Sequence, residues 1–130
     1  MTSIFSKIVA GEIPCYKVHE IELFLAFLDI TPIAKGHVLV IPKNETDYIF
    51  DIEDVELSAM IIFAKEVARK IKTVFPCKKV GVTVIGLEVP HAHIHLVPLQ
   101  SVHDIDFSRP KLKFEKQDFE KIAGEIRSKL

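Results

Sequence analysis

The sequence has no tryptophan, two cysteines and five glycines among its 130 residues. Cys15 and Cys77 lie far apart and form no CxxC pair, which excludes a cysteine-built zinc site and leaves a single disulfide between them as an alternative. In a reducing compartment they read as two buried free thiols. No apolar run reaches the length of a membrane span. An excess of one charge is also missing: 17 basic and 18 acidic residues leave −1 at pH 7. Nothing in that balance offers a footprint for nucleic acid or for a membrane surface. The opening MTSIFSKIVAG sets Lys7 inside an amphipathic pattern, not in a charged head before an apolar run. No secretory signal is read there, and the cytoplasm is the expected compartment. There is no repeat, low-complexity tract or linker, so residues 1–130 are expected to form a single domain with a real core.

The apolar pattern predicts the elements. Ile4, Phe5, Ile8 and Val9 recur at helical spacing, and Gly11 and Pro14 end that short helix. Residues 15–20 and the segment LFLAFLD, 23–29, read as two strands of a hairpin. Thr31-Pro32 breaks the second, and Gly36 permits a turn before a third strand, HVLVIP. Asp54 is placed to cap a helix over roughly 55–75, with Val55, Ile62, Val67, Ile71 and Val74 on its apolar face, and Pro76 stops it. KVGVTVI, 79–85, and residues 92–98 supply strands four and five. Phe114, Phe119, Ile122, Ile126 and Leu130 mark a C-terminal helix. This order predicts an α+β domain: a mainly antiparallel five-stranded sheet with a long helix and a C-terminal helix packed on it.

Within VPHAHIHLVP, residues 89–98, three of the six histidines alternate with Ala92, Ile94 and Leu96. On a strand, His91, His93 and His95 would share one face and the apolar residues the other. A histidine-rich polar face is the bland explanation, and the clean alternation argues against it. A metal is one functional reading. Successive side chains on one face stand about 6.6 Å apart, so one ion cannot bind all three, and His37 would have to help. The second reading is covalent catalysis on phosphorus. A neutral imidazole can attack a phosphate ester when one ring nitrogen is free and the other is held by a hydrogen bond. Neighbouring donors then neutralise the developing charge. The central His93 is best placed for that attack.

HAHIHLV fits the pattern His-φ-His-φ-His-φ-φ, with Ala92 counted as apolar, and so resembles the signature of the histidine triad (HIT) family. IFSKIVAGEIP and FLAFLDITPIAKGHVLVIPK resemble that family's N-terminal and ribose-binding segments. The resemblance implies an α+β half-barrel, homodimers, and nucleotide substrates such as AMP or GMP conjugates. It implies a hydrolase or nucleotidyl transferase acting on phosphoramidates or dinucleoside polyphosphates through a phosphohistidine. By that resemblance His93 is the nucleophile, His95 contacts a phosphate oxygen, His91 orients the site, and His37 joins the cluster. Asp29 holds the ribose hydroxyls, and Ile4, Phe5, Ile8, Phe27 and Ile30 wall the base. Read from the residues alone, Asp29 equally well starts the Thr31-Pro32 turn, and Phe5, Phe27 and Ile30 are equally well plain core. His19 and His103 read as solvated.

The chain departs from the family pattern in places. Ser3 and Ser6 stand where many members carry a zinc-binding CxxC, and serine is a poor zinc ligand, so no metal is assigned. The chemistry itself needs no cofactor. Gly86-Leu87-Glu88 replaces the usual Gly-Gln-Ser/Thr turn. Gly86 can let backbone N–H groups approach a phosphate or simply make a tight turn, and Glu88 adds a carboxylate near the leaving group. Thr83 is the sole polar side chain where an asparagine is often found, and there is no tryptophan-containing tail. Two rival readings follow: a nucleotide-binding regulatory protein with little catalysis, and a metal-binding protein using His91 and His93 with His37.

Overall fold

The computed structural model describes residues 2–129. Five strands form one sheet: β1 (Lys17–Glu20), β2 (Phe24–Leu28), β3 (Val38–Pro42), β4 (Lys79–Thr83) and β5 (Ile94–Leu99). Their spatial order is β1-β2-β3-β5-β4, and each neighbouring pair is antiparallel. The α+β expectation holds. The last strand inserts between β3 and β4, so β1 and β4 are the edges.

Three α-helices accompany the sheet: α1 (Ile4–Val9), α2 (Asp54–Val74) and α3 (Lys116–Arg127). The sheet is apolar on both faces, as the fully buried β2 and β3 require. On one face Phe24, Ala26, Val38, Val40, Ile94 and Leu96 pack under Met60, Phe63, Val67 and Ile71 of α2 and Phe119, Ile122 and Ile126 of α3. Burying each such side chain stabilises the fold by about 1.5–3 kcal/mol. On the other face a smaller cluster, Leu25, Phe27, Leu39 and Ile41, packs against Phe5 of α1.

Some expectations need correction. Glu53, not Asp54, occupies the N-cap of α2; Asp54 and Glu56 instead place negative charge in its first turn. Val55 and Ile62 are exposed, because the helix is apolar on two stripes and only the one carrying Met60, Phe63, Val67 and Ile71 meets the sheet. Strand four ends at Thr83, leaving Val84 and Ile85 outside the ladder. Cys15 and Cys77 are free but only half-buried. His19 is not simply solvated: its ring stacks on Phe63 at 5.2 Å, and burial lowers its pKa. His103 is exposed as expected. Leu130, expected on the last helix, lies outside the described residues.

Candidate active site

The triad does not form one strand face. Strand β5 begins at Ile94, so of the three histidines only His95 lies in the ladder. It pairs with Leu39 of β3 and Thr83 of β4, on the face that carries Phe27. His91 and His93 precede the strand in irregular backbone. All three rings are buried by their neighbours, while Ala92, Ile94 and Leu96 face the larger core as expected. The irregular lead-in draws the rings together: the His93 and His95 centroids are 4.9 Å apart. That is closer than the ladder spacing of about 6.6 Å.

Hydrogen bonds fix each tautomer. Nδ1 of His93 lies 2.8 Å from the carbonyl oxygen of His91. A carbonyl only accepts, so Nδ1 carries the proton and Nε2 keeps its lone pair. Nδ1 of His37 accepts from the backbone N–H of Ile33 at 3.2 Å. Its proton therefore sits on Nε2, which donates to Nδ1 of His95 at 2.9 Å. His95 in turn carries its proton on Nε2. Among the described residues no fully buried side-chain nitrogen or oxygen lacks a partner, so the uncommitted Nε2 atoms of His93 and His95 reach the surface. A lone pair and an N–H donor stand side by side there.

His91 has a different environment. Its Nε2–H donates to the Pro42 carbonyl at 2.8 Å, and its Nδ1 accepts from the Ser3 hydroxyl at 2.7 Å. Ser3 is the N-cap of α1 and accepts the Ser6 backbone N–H at 3.0 Å. Glu45 accepts from the Ser3 backbone N–H at 2.6 Å and from the Ser6 hydroxyl at 2.7 Å. Those bonds hold its carboxyl down at about 2. Sequence reasoning missed Ser3 and Glu45 as partners; the S-x-x-S spacing at a helix start was the available signal for Ser3, and Glu45 had none. This set does not fit a zinc ion, since hydroxyls are poor ligands and both are engaged in hydrogen bonds.

Burial lowers the pKa of His37 and of His95 to about 4 each, and lowers that of His91. Desolvation of the charged imidazole is the largest cause in each. Phe107 adds to that desolvation, with its ring 4.8 Å from that of His95 and 6.0 Å from that of His37. It lies far along the chain, and no motif marked it. The Asp29 carboxylate opposes the shift on His37, with Oδ2 3.5 Å from Nε2.

Asp29 follows β2 and is half-buried. Its Oδ1 accepts from the backbone N–H and the hydroxyl of Thr31 at 2.8 and 3.1 Å, so it does start the turn. Its Oδ2 faces His37. Phe5 and Phe27 meet edge-to-face at 5.6 Å and are closed into the smaller core. Ile4 and Ile30 are 49 % and 67 % exposed, and Ile8 is half-buried. Ile8 packs on the cluster of Phe5 and Phe27, while Ile4 and Ile30 are open to solvent. Gly86 has φ +69°, a left-handed conformation that suits glycine, and Glu88 is exposed.

Asp29, His37 and His95 are the one metal-compatible group among the described residues, with ligand atoms within 4.8 Å of one another. The His37–His95 hydrogen bond occupies two of those atoms. The grouping of His91 and His93 with His37 is not formed, since both nitrogens of His91 are engaged elsewhere. A groove of about 740 Å³ is lined by Tyr48, Phe50, Ile61, Val82 and Ile85 and also by Gly86, Leu87, Ala92 and Ile94, but by none of the histidines. No helix among the described residues is long and apolar enough to cross a membrane.

Known proteins resemble this chain along most of its length. The HIT domain family matches residues 10–102. The chain is 32 % identical over 132 residues to an adenosine 5′-monophosphoramidase of Schizosaccharomyces pombe, covering 100 % of this chain and 99 % of that protein. It is 38 % identical over 96 residues to the corresponding enzyme of Saccharomyces cerevisiae, covering 73 % of this chain and 61 % of that one. A crystal structure of a HIT-like protein involved in cell-cycle regulation from Bartonella henselae superposes with a TM-score of 0.84. It is 28 % identical, covering 98 % of this chain and 95 % of that one.

Proposed function

This chain belongs to the HIT domain family, and on that premise we propose that it is a nucleotide hydrolase or nucleotidyl transferase using His93 as nucleophile. Its substrates are purine nucleoside phosphoramidates or dinucleoside polyphosphates. The observation that carries this is the adjacency of an open Nε2 lone pair on His93 and an Nε2–H donor on His95. Two related proteins named as adenosine 5′-monophosphoramidases support the substrate class.

The reaction runs in two displacements. Nε2 of His93 forms a bond to the α-phosphorus while the bond to the leaving nitrogen or oxygen breaks, and the leaving group departs with the electron pair and takes a proton from solvent, which the attacking water of the second step returns. The ring becomes positive as it attacks, and the His91 carbonyl stabilises that charge through Nδ1–H. His95 donates to a phosphate oxygen. Water then attacks phosphorus, the P–N bond breaks, and the nucleoside monophosphate leaves with His93 restored. The ribose hydroxyls meet Asp29, and the base lies against Ile4, Ile8 and Ile30, with Phe5 and Phe27 behind them. Gly86 and Glu88 border the leaving group. The cytoplasm is the compartment, where Cys15 and Cys77 stay reduced.

A homodimer belongs to this reading. Edge strand β4 and the apolar groove beside it expose Ile61, Val82, Val84 and Ile85, a surface that a second copy would cover. Sedimentation of a monomer at micromolar concentration would remove that part.

The decisive experiment uses adenosine 5′-phosphoramidate. His93→Ala should lose at least about 10³-fold in kcat. Rapid quenching with labelled substrate should trap an acid-labile adduct on the wild type and none on the variant. Turnover by His93→Ala at the wild-type rate would refute the mechanism. One feature favours a second reading, a nucleotide binder with little turnover: the 86–88 turn carries no hydroxyl, and Leu87 is 88 % exposed. Tight AMP binding by calorimetry without His93-dependent turnover would favour it.

A further inference from the structure

His93 can attack only if its proton stays on Nδ1, and that depends on where the His91 carbonyl points. Residue 91 is held at every polar atom. Its N–H donates to the Val89 carbonyl at 2.8 Å, and its carbonyl accepts from His93. Its ring donates to Pro42 and accepts from Ser3. The neighbouring Ala92 N–H donates to the Thr46 carbonyl at 2.7 Å.

Of these partners, all but two are backbone atoms: the side-chain partners are the His93 ring itself and the Ser3 hydroxyl. Apart from the nucleophile, the Ser3 hydroxyl is thus the one a substitution can remove. Because Pro42 forces the His91 proton onto Nε2, the buried Nδ1 needs a donor. Ser3 Oγ supplies it at 2.7 Å, while Ser6 Oγ stands at 3.4 Å and is turned to Glu45. Ser3 Oγ already accepts the Ser6 N–H, so its own proton is directed to His91. Ser3 is itself 5 % exposed and is tied through its backbone N–H to Glu45, past the end of β3.

We propose that Ser3 is a positioning residue for the nucleophile: its hydroxyl locks the His91 ring, the locked residue aims its carbonyl at His93 Nδ1, and Nε2 of His93 is thereby left open for attack. This rests on the reading of His93 as nucleophile. Without the hydroxyl, the His91 Nδ1 lone pair is buried and unsatisfied. The ring turns or takes up a proton, and the 91–93 backbone moves with it. The same residue caps α1, which brings Phe5 to within 5.0 Å of the His93 ring, so helix and nucleophile share one anchor.

The test separates capping from donation. Ser3→Gly keeps an acceptable N-cap residue and removes the hydroxyl; Ser3→Thr keeps both. On adenosine 5′-phosphoramidate, Ser3→Gly should lose about 10- to 100-fold in kcat with KM within about threefold, and Ser3→Thr should restore kcat. Long-range ¹H–¹⁵N spectra should show His93 protonated on Nδ1 in wild type and Ser3→Thr, and mixed in Ser3→Gly. Wild-type kcat in Ser3→Gly, a loss confined to KM, or a loss with unchanged His93 nitrogen shifts would overturn the proposal. If Ser3→Gly does not fold, the wild type decides: His91 found with its proton on Nδ1 at pH 7 ends the argument. Absence of turnover in wild type, or full turnover in His93→Ala, would instead sink the underlying chemistry, and the tautomer spectra would still report on the Ser3–His91 link.

Discussion

Nε2 of His37 stands 2.9 Å from Nδ1 of His95, so one buried imidazole sets the proton position of the other. Burial holds both near a pKa of about 4. Both are therefore neutral at pH 7, and their ring signals should not titrate between pH 6 and 8. The folded values lie below the unfolded value of about 6.5, so the unfolded chain binds more protons as pH falls. The stability they contribute is complete above pH 6.5 and is lost as pH drops toward 4. A shift of this size on one group corresponds to on the order of 3 kcal/mol. Denaturant unfolding at pH 7 and at pH 4.5 should show that loss in wild type and a flatter slope in His37→Gln. Equal slopes in the two proteins would contradict it.

Asp29 divides its carboxylate between two tasks. Oδ1 holds the Thr31 turn, and Oδ2 lies 3.5 Å from His37 on a side chain that is 15 % exposed, and as a carboxylate oxygen it can accept from a further donor. Under the proposed function that donor is a ribose hydroxyl, and a hydrogen bond to a charged acceptor contributes about 1.5–3 kcal/mol. Asp29→Asn keeps the shape and weakens the acceptor. It should raise KM about tenfold or more for the ribonucleotide substrate with kcat little changed. A 2′-deoxy substrate should show the same loss on wild type and little further loss on the variant. If Asp29→Asn keeps the full preference for ribose, the carboxylate serves only the turn.

Much of this was legible because local rules and the global fold agree. LFLAFLD and HVLVIP were legible as strands, though not as interior ones, and Pro76 ended α2 where expected. Gly36 was read as a turn; its φ of +94° and the 2.7 Å between a built Cβ and the Phe75 ring explain why glycine stands before His37. Other features were not legible. Alternation suggested a strand through His91 and His93, but the Ala92 N–H is bonded to the Thr46 carbonyl and the His93 ring turns back to the His91 carbonyl. Period alone does not report where a ladder starts. The 3.6-residue pattern of α2 could not say which of two apolar stripes meets the sheet. Phe107 reaches His37 and His95, and Glu45 reaches the two serines beside His91, from outside the triad segment, and nothing local marks either.

Glu88 precedes the triad by three residues and follows a turn whose Gly86 has φ +69° and open space around it. Its carboxylate is exposed and takes part in none of the described salt bridges. Next to it, Val89 packs on the Phe5 cluster, which fixes the turn beside the site. A negative charge there repels a polyphosphate leaving group and attracts a cationic amine. With water screening the pair, the effect is about 1 kcal/mol, or roughly fivefold. Glu88→Ser should therefore narrow the preference in kcat/KM for a lysine-derived phosphoramidate over a dinucleoside polyphosphate by about that factor. The difference should shrink further as salt is raised, because the charge acts across solvent. Equal ratios for wild type and Glu88→Ser at low salt would show that the carboxylate points away from the leaving group and that the choice between amine and phosphate is made elsewhere.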